Sequence, residues 1–329
     1  LLDNMDEQTQ KYLIEKAHAV RTEVYEDRVF MRGLIEFTNY CKQNCTYCGI
    51  RADNLKANRY RLTLNEMLNA CETGYRLGYR TFVLQGGEDD AFTDEKMVQI
   101  IQSIKQLFPD CAITLSIGEK PRASYQRYYD AGADRYLLRH ETASKTLYEK
   151  LHPNMRFENR IRCLYDLKEI GYQVGAGFMV GLPEQTNADF IEDFLFLQAL
   201  QPQMVGIGPF IPHQDTALAN AKGGTVDDTV TMIAIVRLIL PNALLPATTA
   251  LGSIDPLGRE KGLKAGANVV MPNLSPTEVR AKYALYDGKI CTGDEAAECR
   301  NCIERRINQA GFSVDLSRGD HAQWRERNV

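Results

Sequence analysis

The chain has 329 residues, 44% hydrophobic and 25% charged, enough to bury the core of one large or two ordinary domains. A net charge of −4 without any basic stretch argues against a nucleic-acid partner. No apolar run approaches membrane length, and the best, Met232 to Leu240, is broken by Arg237. The opening Leu-Leu-Asp-Asn-Met-Asp-Glu has neither a basic region nor a long apolar core, so no secretory signal is expected. Nine cysteines, six of them in two metal-like groups, indicate a reducing compartment, with the cytoplasm as the expected location.

Short apolar segments alternate with helical ones. The strand candidates are Val29–Phe37, Thr81–Gln85, Ala112–Ile117, Arg135–Arg139, Val174–Val180, Met204–Gly208, Leu244–Thr248 and Asn268–Met271. Between them, Thr63-Leu-Asn-Glu66 reads as a capping box, Thr93-Asp-Glu opens a second helix, and Thr225-Val-Asp-Asp228 a third that Pro241 ends. Eight strands separated by helices predict an α/β fold, a (β/α)8 TIM-type barrel, with an open doubly wound sheet as the alternative. The expected organisation is an N-terminal helical segment over 1–28, a barrel over 29–285 and a cysteine-containing extension over 286–329.

Strand parity suggests what the interior holds. Gly175, Gly177 and Gly181 share one face, Gly206 and Gly208 another, and Thr114 and Ser116 oppose Ile113, Leu115 and Ile117. With the apolar faces against the helices, glycines and hydroxyls point inward and leave room for a ligand. Close helix–sheet packing is the plainer explanation for any single strand glycine. Cys71, Cys111 and Cys163 fall within helices or at the entry end of a strand and read as small buried hydrophobes.

Chemistry should gather at the C-terminal ends of the strands. The first strand runs into Asn39-Tyr-Cys-Lys-Gln-Asn-Cys-Thr-Tyr-Cys-Gly49, where Cys41, Cys45 and Cys48 have the spacing C-x3-C-x2-C. Three thiolates on one loop hold three irons of a [4Fe–4S] cube and leave the fourth open, whereas a four-cysteine ferredoxin run saturates every iron. Zinc is the competing occupant, but it prefers four closed ligands. Strand two ends in Gln85-Gly-Gly-Glu-Asp89, an ordinary turn or a close approach to ligand. Arg139 and Glu141 share a face at the end of strand four, with Arg160 following; a structural ion pair is the plainer reading, a zwitterionic ligand the sharper one. His140 has the opposite parity and is expected to be packed.

The cysteine spacing, with aromatic Tyr47 before Cys48, resembles the radical S-adenosylmethionine (SAM) enzymes. In that family the open iron chelates SAM, and one electron cleaves it to a 5′-deoxyadenosyl radical. The Gly-Gly-Glu segment and Gly177-Phe-Met-Val-Gly-Leu-Pro-Glu184, with Met179 where the family has Ile, fit its SAM-binding segments. Four blocks narrow the resemblance to the branch that matures [FeFe]-hydrogenases: Gly33-Leu-Ile-Glu-Phe-Thr-Asn39, Arg135-Tyr-Leu-Leu-Arg-His-Glu-Thr142, Gly206-Ile-Gly-Pro-Phe-Ile-Pro-His213 and Pro246-Ala-Thr-Thr-Ala250. The resemblance implies that Arg160 and Glu141 bind SAM, with Tyr47, Gly87, Glu88, Met179, Thr248, Thr249 and Met271 near it. It also implies that Thr114, Ser116, Arg135, Arg139, Tyr283 and Tyr286 line a deeper substrate cavity. The implied substrate is a small organometallic or amino-acid-derived molecule, an iron–cysteine complex bearing CO and cyanide. The implied partners are other hydrogenase maturases and an electron donor.

Cys291, Cys299 and Cys302 form a second trio, C-x7-C-x2-C, in an acidic loop-like segment. It suits a second iron–sulfur cluster, zinc, or no metal, and its place after the eighth strand makes it accessory. Two related enzymes remain as alternatives, a biotin synthase or a methylornithine-forming mutase. The positions of Cys71, Cys111 and Cys163 disfavour the cluster that biotin synthase carries inside its barrel. A non-catalytic electron carrier would need a fourth thiolate that the motif lacks.

Overall fold

The computed structural model describes residues 2–324. Asp6 caps the first helix, α1 (Glu7–Tyr25), by accepting from the Thr9 amide at 2.7 Å. Next come β1 (Arg28–Met31), β2 (Gly33–Thr38), α2 (Leu64–Arg76), β3 (Thr81–Gly86), α3 (Asp94–Leu107), β4 (Ala112–Ser116) and α4 (Arg122–Asp130). The middle of the chain forms β5 (Arg135–Leu137), α5 (Lys145–Leu151), α6 (Phe157–Ile170), β6 (Gln173–Ala176), β7 (Met179–Val180), α7 (Asn187–Leu200), β8 (Met204–Val205) and β9 (Gly208–Pro209). Then follow α8 (Val226–Ile239), α9 (Thr249–Ile254), α10 (Gly258–Lys264), β10 (Val269–Val270), α11 (Thr277–Arg280), α12 (Ala296–Gln309) and β11 (Ser313–Asp315). The three expected helix starts are present: the Thr63–Glu66 box opens α2, Thr93 caps α3 and Thr225 caps α8. Helix α8 stops at Ile239, ahead of Pro241.

Among the described residues all the strand-to-strand ladders are parallel. β2, β3, β4, β5, β6 and β8 lie side by side, and single bridges from Met204 to Leu244 and from Pro246 to Val269 lead round to β10, which pairs with β1. The ring therefore closes as a (β/α)8 barrel with every strand's C-terminal end at one mouth. Several strands are more broken than the sequence suggests. The first divides at Arg32 into β1 and β2, its amide bonding back to Val270. The segment 174–180 divides at Gly177, whose amide goes to His140 Nδ1 instead of a neighbouring strand. Residues 244–248 make bridges only, since Pro246 lacks the N–H that a ladder requires.

One strand escaped the sequence reading. β11 adds to β1 in parallel register, Val29 opposite Val314, and the segment after it seals the barrel floor. Arg135 donates to Thr81 Oγ1 at 3.0 Å, to the Arg318 carbonyl at 2.7 Å and to Asp320 at 2.5 Å. Gln173 reaches the same carboxylate at 2.6 Å, and Arg32 donates to the Gly319 carbonyl at 3.0 Å. Burial opposes the charge on Asp320, but Arg135, Gln173 and Arg318 hold its carboxyl well below the usual range. Arg135, expected to face the substrate, is thus occupied at the opposite end of the barrel. The extension also shares the main core, to which Cys299, Ile303 and Ile307 of α12 contribute.

A small void of about 10 Å³ lies near the floor, between Arg32, Thr114, Arg135, Leu137, Gly175 and Met204. Leu137 and Met204 cover Gly175, while Gly177 and Gly181 serve close backbone approaches to Gly206 and Gly224. Gly206 and Gly208 face the side chains of Arg139 and Thr248. Replacing Asp320 with Ala should leave Arg135 buried and uncompensated, lowering stability by roughly 3 kcal/mol in urea titration. An unchanged midpoint would show that the floor contributes nothing to folding.

Candidate active site

The stretch from Asn39 to Gly49 has no helix or strand, so its backbone groups are satisfied from outside. Glu88 supplies both sides of one contact: its amide donates to Cys41 Sγ at 3.4 Å and its carbonyl accepts from Lys42 at 3.0 Å. Leu151, ending α5, accepts from the Thr46 amide at 2.9 Å, and Leu285 accepts from Gly49 at 2.9 Å. The Arg59 guanidinium gathers the carbonyls of Asn39, Ile50, Arg51 and Asn54. At Gly87 a Cβ would lie 2.2 Å from the Tyr40 carbonyl and 2.7 Å from Cys41 Cβ, so only glycine lets the two loops meet.

Cys41, Cys45 and Cys48 are all half-buried, and burial raises each thiol's pKa, with that of Cys48 pushed up to about 12. Cys45 feels the charges of Cys41, Cys48, Arg160 and Glu141, which brings the expected SAM ligands to the same place. Three soft thiols on one loop, one of them already receiving an amide hydrogen bond, fit an iron–sulfur cluster. The remaining barrel cysteines, Cys71, Cys111 and Cys163, lie in the main core.

Around this loop the charged residues form two pairs. Arg139 and Glu141 are 3.0 Å apart. Glu141 has φ 67°, held there by its amide on Gly177 and its carbonyl on Met179; such left-handed backbone in a non-glycine residue recurs at functional sites. Below it His140 is fully buried and bonds Asp193 at 3.1 Å, the packed histidine that parity suggested. Arg160 donates to Glu119 at 2.6 Å and to the Arg139 carbonyl. Burial opposes its charge, but Tyr148, Glu119 and Glu141 outweigh that and raise its pKa. Glu88 takes Gln43 at 2.7 Å and the Glu119 amide at 2.9 Å. An open cleft of about 480 Å³ runs past Lys42, Gln43, Glu88, Glu119 and Asn159.

Glu119 and Asn159 were missed in the sequence, although Glu119 follows the end of β4, where position alone could have flagged it. The other expected residues scatter more widely. Met179 packs with Tyr47 in one apolar cluster, while Met271 packs beside Met204, Leu244 and Val269. Thr248 Oγ1 is buried without a hydrogen-bond partner, and Thr249 accepts from Arg259 at 3.2 Å. Ser116 ends β4, opposite Gln85, whose amide reaches the Tyr283 hydroxyl at 3.4 Å. Arg259 also lies 3.8 Å from Cys291 Sγ; Cys299 and this guanidinium push the Cys291 thiol down, and Cys299 is driven up. Cys302 lies on α12, less than a turn beyond Cys299.

His152 had no sequence signal. Its Nδ1 lies 3.0 Å from the Tyr148 carbonyl, which can only accept, so Nδ1 carries the proton and Nε2 accepts from the Tyr47 hydroxyl at 3.0 Å. Burial and Arg160 lower its pKa to about 3, so the imidazole is neutral in the folded protein. Unfolding frees it to protonate near 6.5. Its contribution is therefore full above that pH and is lost as pH falls toward 3, by roughly 1.4 kcal/mol per unit. His152→Phe should flatten the fall in urea midpoint between pH 6.5 and 5; an identical slope would contradict this assignment.

Residues 35–197 match the Radical SAM superfamily. The chain is 48% identical over 299 residues to the [FeFe] hydrogenase maturase subunit HydE of Thermotoga maritima, covering 91% of this chain and 85% of that protein. It is 31% identical to the 3-methylornithine synthase of Methanosarcina acetivorans, covering 86% and 81%. The crystal structure of methylornithine synthase PylB superposes with a TM-score of 0.83 at 26% identity, covering 95% of this chain and 91% of that one. The thiol loop, the barrel that presents it and this kinship lead to one assignment: the chain is a radical SAM enzyme and belongs to the HydE family of [FeFe] hydrogenase maturases.

Proposed function

We propose that the Cys41–Cys45–Cys48 loop holds a [4Fe–4S] cluster with one iron free of protein ligands, and that the enzyme cleaves SAM reductively to a 5′-deoxyadenosyl radical. The radical would act on a small iron–cysteine precursor bearing CO and cyanide, during assembly of the two-iron subcluster of [FeFe]-hydrogenase. When bound, the cluster supplies the electron for SAM cleavage. The observation that carries this reading is the meeting of three thiols, the Gly87–Glu88 turn and the charged side chains Arg160 and Glu141 at one barrel mouth. Arg160 offers a guanidinium to the SAM carboxylate, and Glu119 keeps that guanidinium oriented. Glu88 and Glu141 offer acceptors to the amine and the cationic end of SAM. Arg139, which stands against Gly206 and Gly208, would meet an anionic precursor, since Arg135 is committed to Asp320. Other maturases and a one-electron donor would act with it, and the Cys291, Cys299 and Cys302 trio would hold an accessory second cluster.

The test is anaerobic reconstitution with SAM, dithionite and the candidate iron–cysteine complex, followed by mass analysis. An adenosylated product is expected; rearrangement of an amino acid without such a product would move the assignment toward the mutases. Changing Cys41, Cys45 or Cys48 to Ala should abolish SAM cleavage, and Cys291→Ala should leave it largely intact. Cleavage that survives loss of a loop cysteine would remove that residue as a ligand.

A further inference from the structure

Residues 282–291 follow the barrel's last strand and lead to the second cysteine trio, yet they are stitched to the first cysteine loop. Asn39 donates to the Lys282 carbonyl at 2.7 Å, and Gly49 donates to the Leu285 carbonyl at 2.9 Å. A Cβ on Gly49 would lie 2.2 Å from the Ala284 carbonyl, so the two backbones touch beside Cys48. Farther on, the Asp287 amide donates to Pro212 at 3.1 Å, and Ile290 donates to Ser253 Oγ at 3.4 Å. Between these points Lys289 turns inward. Its ammonium meets Glu36 at 2.5 Å and the Tyr283 carbonyl at 2.9 Å, and it lies 4.9 Å from the centre of the Tyr283 ring. Glu36 sits on β2, with a carboxylate only 2% exposed. Its second oxygen accepts from Asn273 at 2.8 Å, and its backbone is pinned by Ser275 Oγ at 2.7 Å and the Tyr60 hydroxyl at 2.7 Å.

We infer that residues 282–291 form a strap across the barrel mouth, and that Glu36 and Lys289 are the positioning residues that hold it there. A charged carboxylate on a barrel strand is tolerated because the strap delivers its cation. The carboxylate in turn fixes where the strap lies, and with it Tyr283 beside Gln85 and the loop edge next to Cys48. The consequence for SAM rests on the reading of this mouth given above. One ion pair thus sets the position of a segment that touches the first cysteine loop and ends in Cys291.

Hydrogen exchange followed by mass spectrometry on the full chain without cluster tests the strap directly. Lys289→Met should raise exchange across 282–290 by about tenfold, with β3 and α3 unchanged. The pair Glu36→Gln with Lys289→Met leaves no unpaired charge, and exchange should stay fast because the attraction is gone. In reconstituted protein, Lys289→Met should raise the KM for SAM several-fold while the cluster's electron paramagnetic resonance intensity is retained. Unchanged exchange in the single variant, restored protection in the pair, or an unchanged KM would each overturn the inference. Wild-type protein that fails to cleave SAM would instead count against the proposed function and leave the exchange result standing.

Discussion

The site depends on the seating of a loop that has no regular structure of its own. Eleven residues from Asn39 to Gly49 carry three thiols, and their donors and acceptors are met by Glu88, Leu151, Leu285 and Arg59. Each partner belongs to a different segment of the barrel, so the thiols stand in place only once those segments have assembled. Gly87 is the tightest of these contacts, since a side chain there would collide with the Tyr40 carbonyl. Parallel closure makes such a gathering feasible, because every strand delivers its following loop to the same mouth.

Charge is distributed very differently at the two ends. At the floor Arg135, Asp320, Gln173 and Arg318 satisfy one another completely enough to hold the carboxylate ionised in a buried setting. At the mouth Arg160 pairs with Glu119, which lines an open cleft, and Arg139 pairs with Glu141, whose backbone is left-handed. The first arrangement serves packing; the second keeps guanidinium and carboxylate groups oriented where a zwitterion could exchange for them at modest cost.

Much of this was legible in the residues. Helix starts followed from Thr63, Thr93 and Thr225, whose hydroxyls compete for the first free amides of a helix. The parallel βα order and the parity of His140 also carried through to the structure. What sequence pattern could not supply was long-range pairing. Arg135 reads as a cation on an inward face, and nothing nearby reveals that its partner lies 185 residues later. β11 is only three residues long, although Phe312, Val314 and Leu316 alternate with Ser313 and Asp315 around it. Tyr47 and His152 meet across 105 residues, so the tautomer emerges only from coordinates. Strand glycines are ambiguous in sequence, since close backbone approach, as at Gly177 and Gly181, and a wide lumen demand the same residue.

The floor also orders events during synthesis. β5 leaves the ribosome 185 residues before Asp320, which at ordinary elongation speeds is roughly 10 to 40 s. Through that interval the nascent barrel carries an unanswered guanidinium in its base and lacks the strand that flanks β1. The floor is therefore completed late, once translation has passed residue 320.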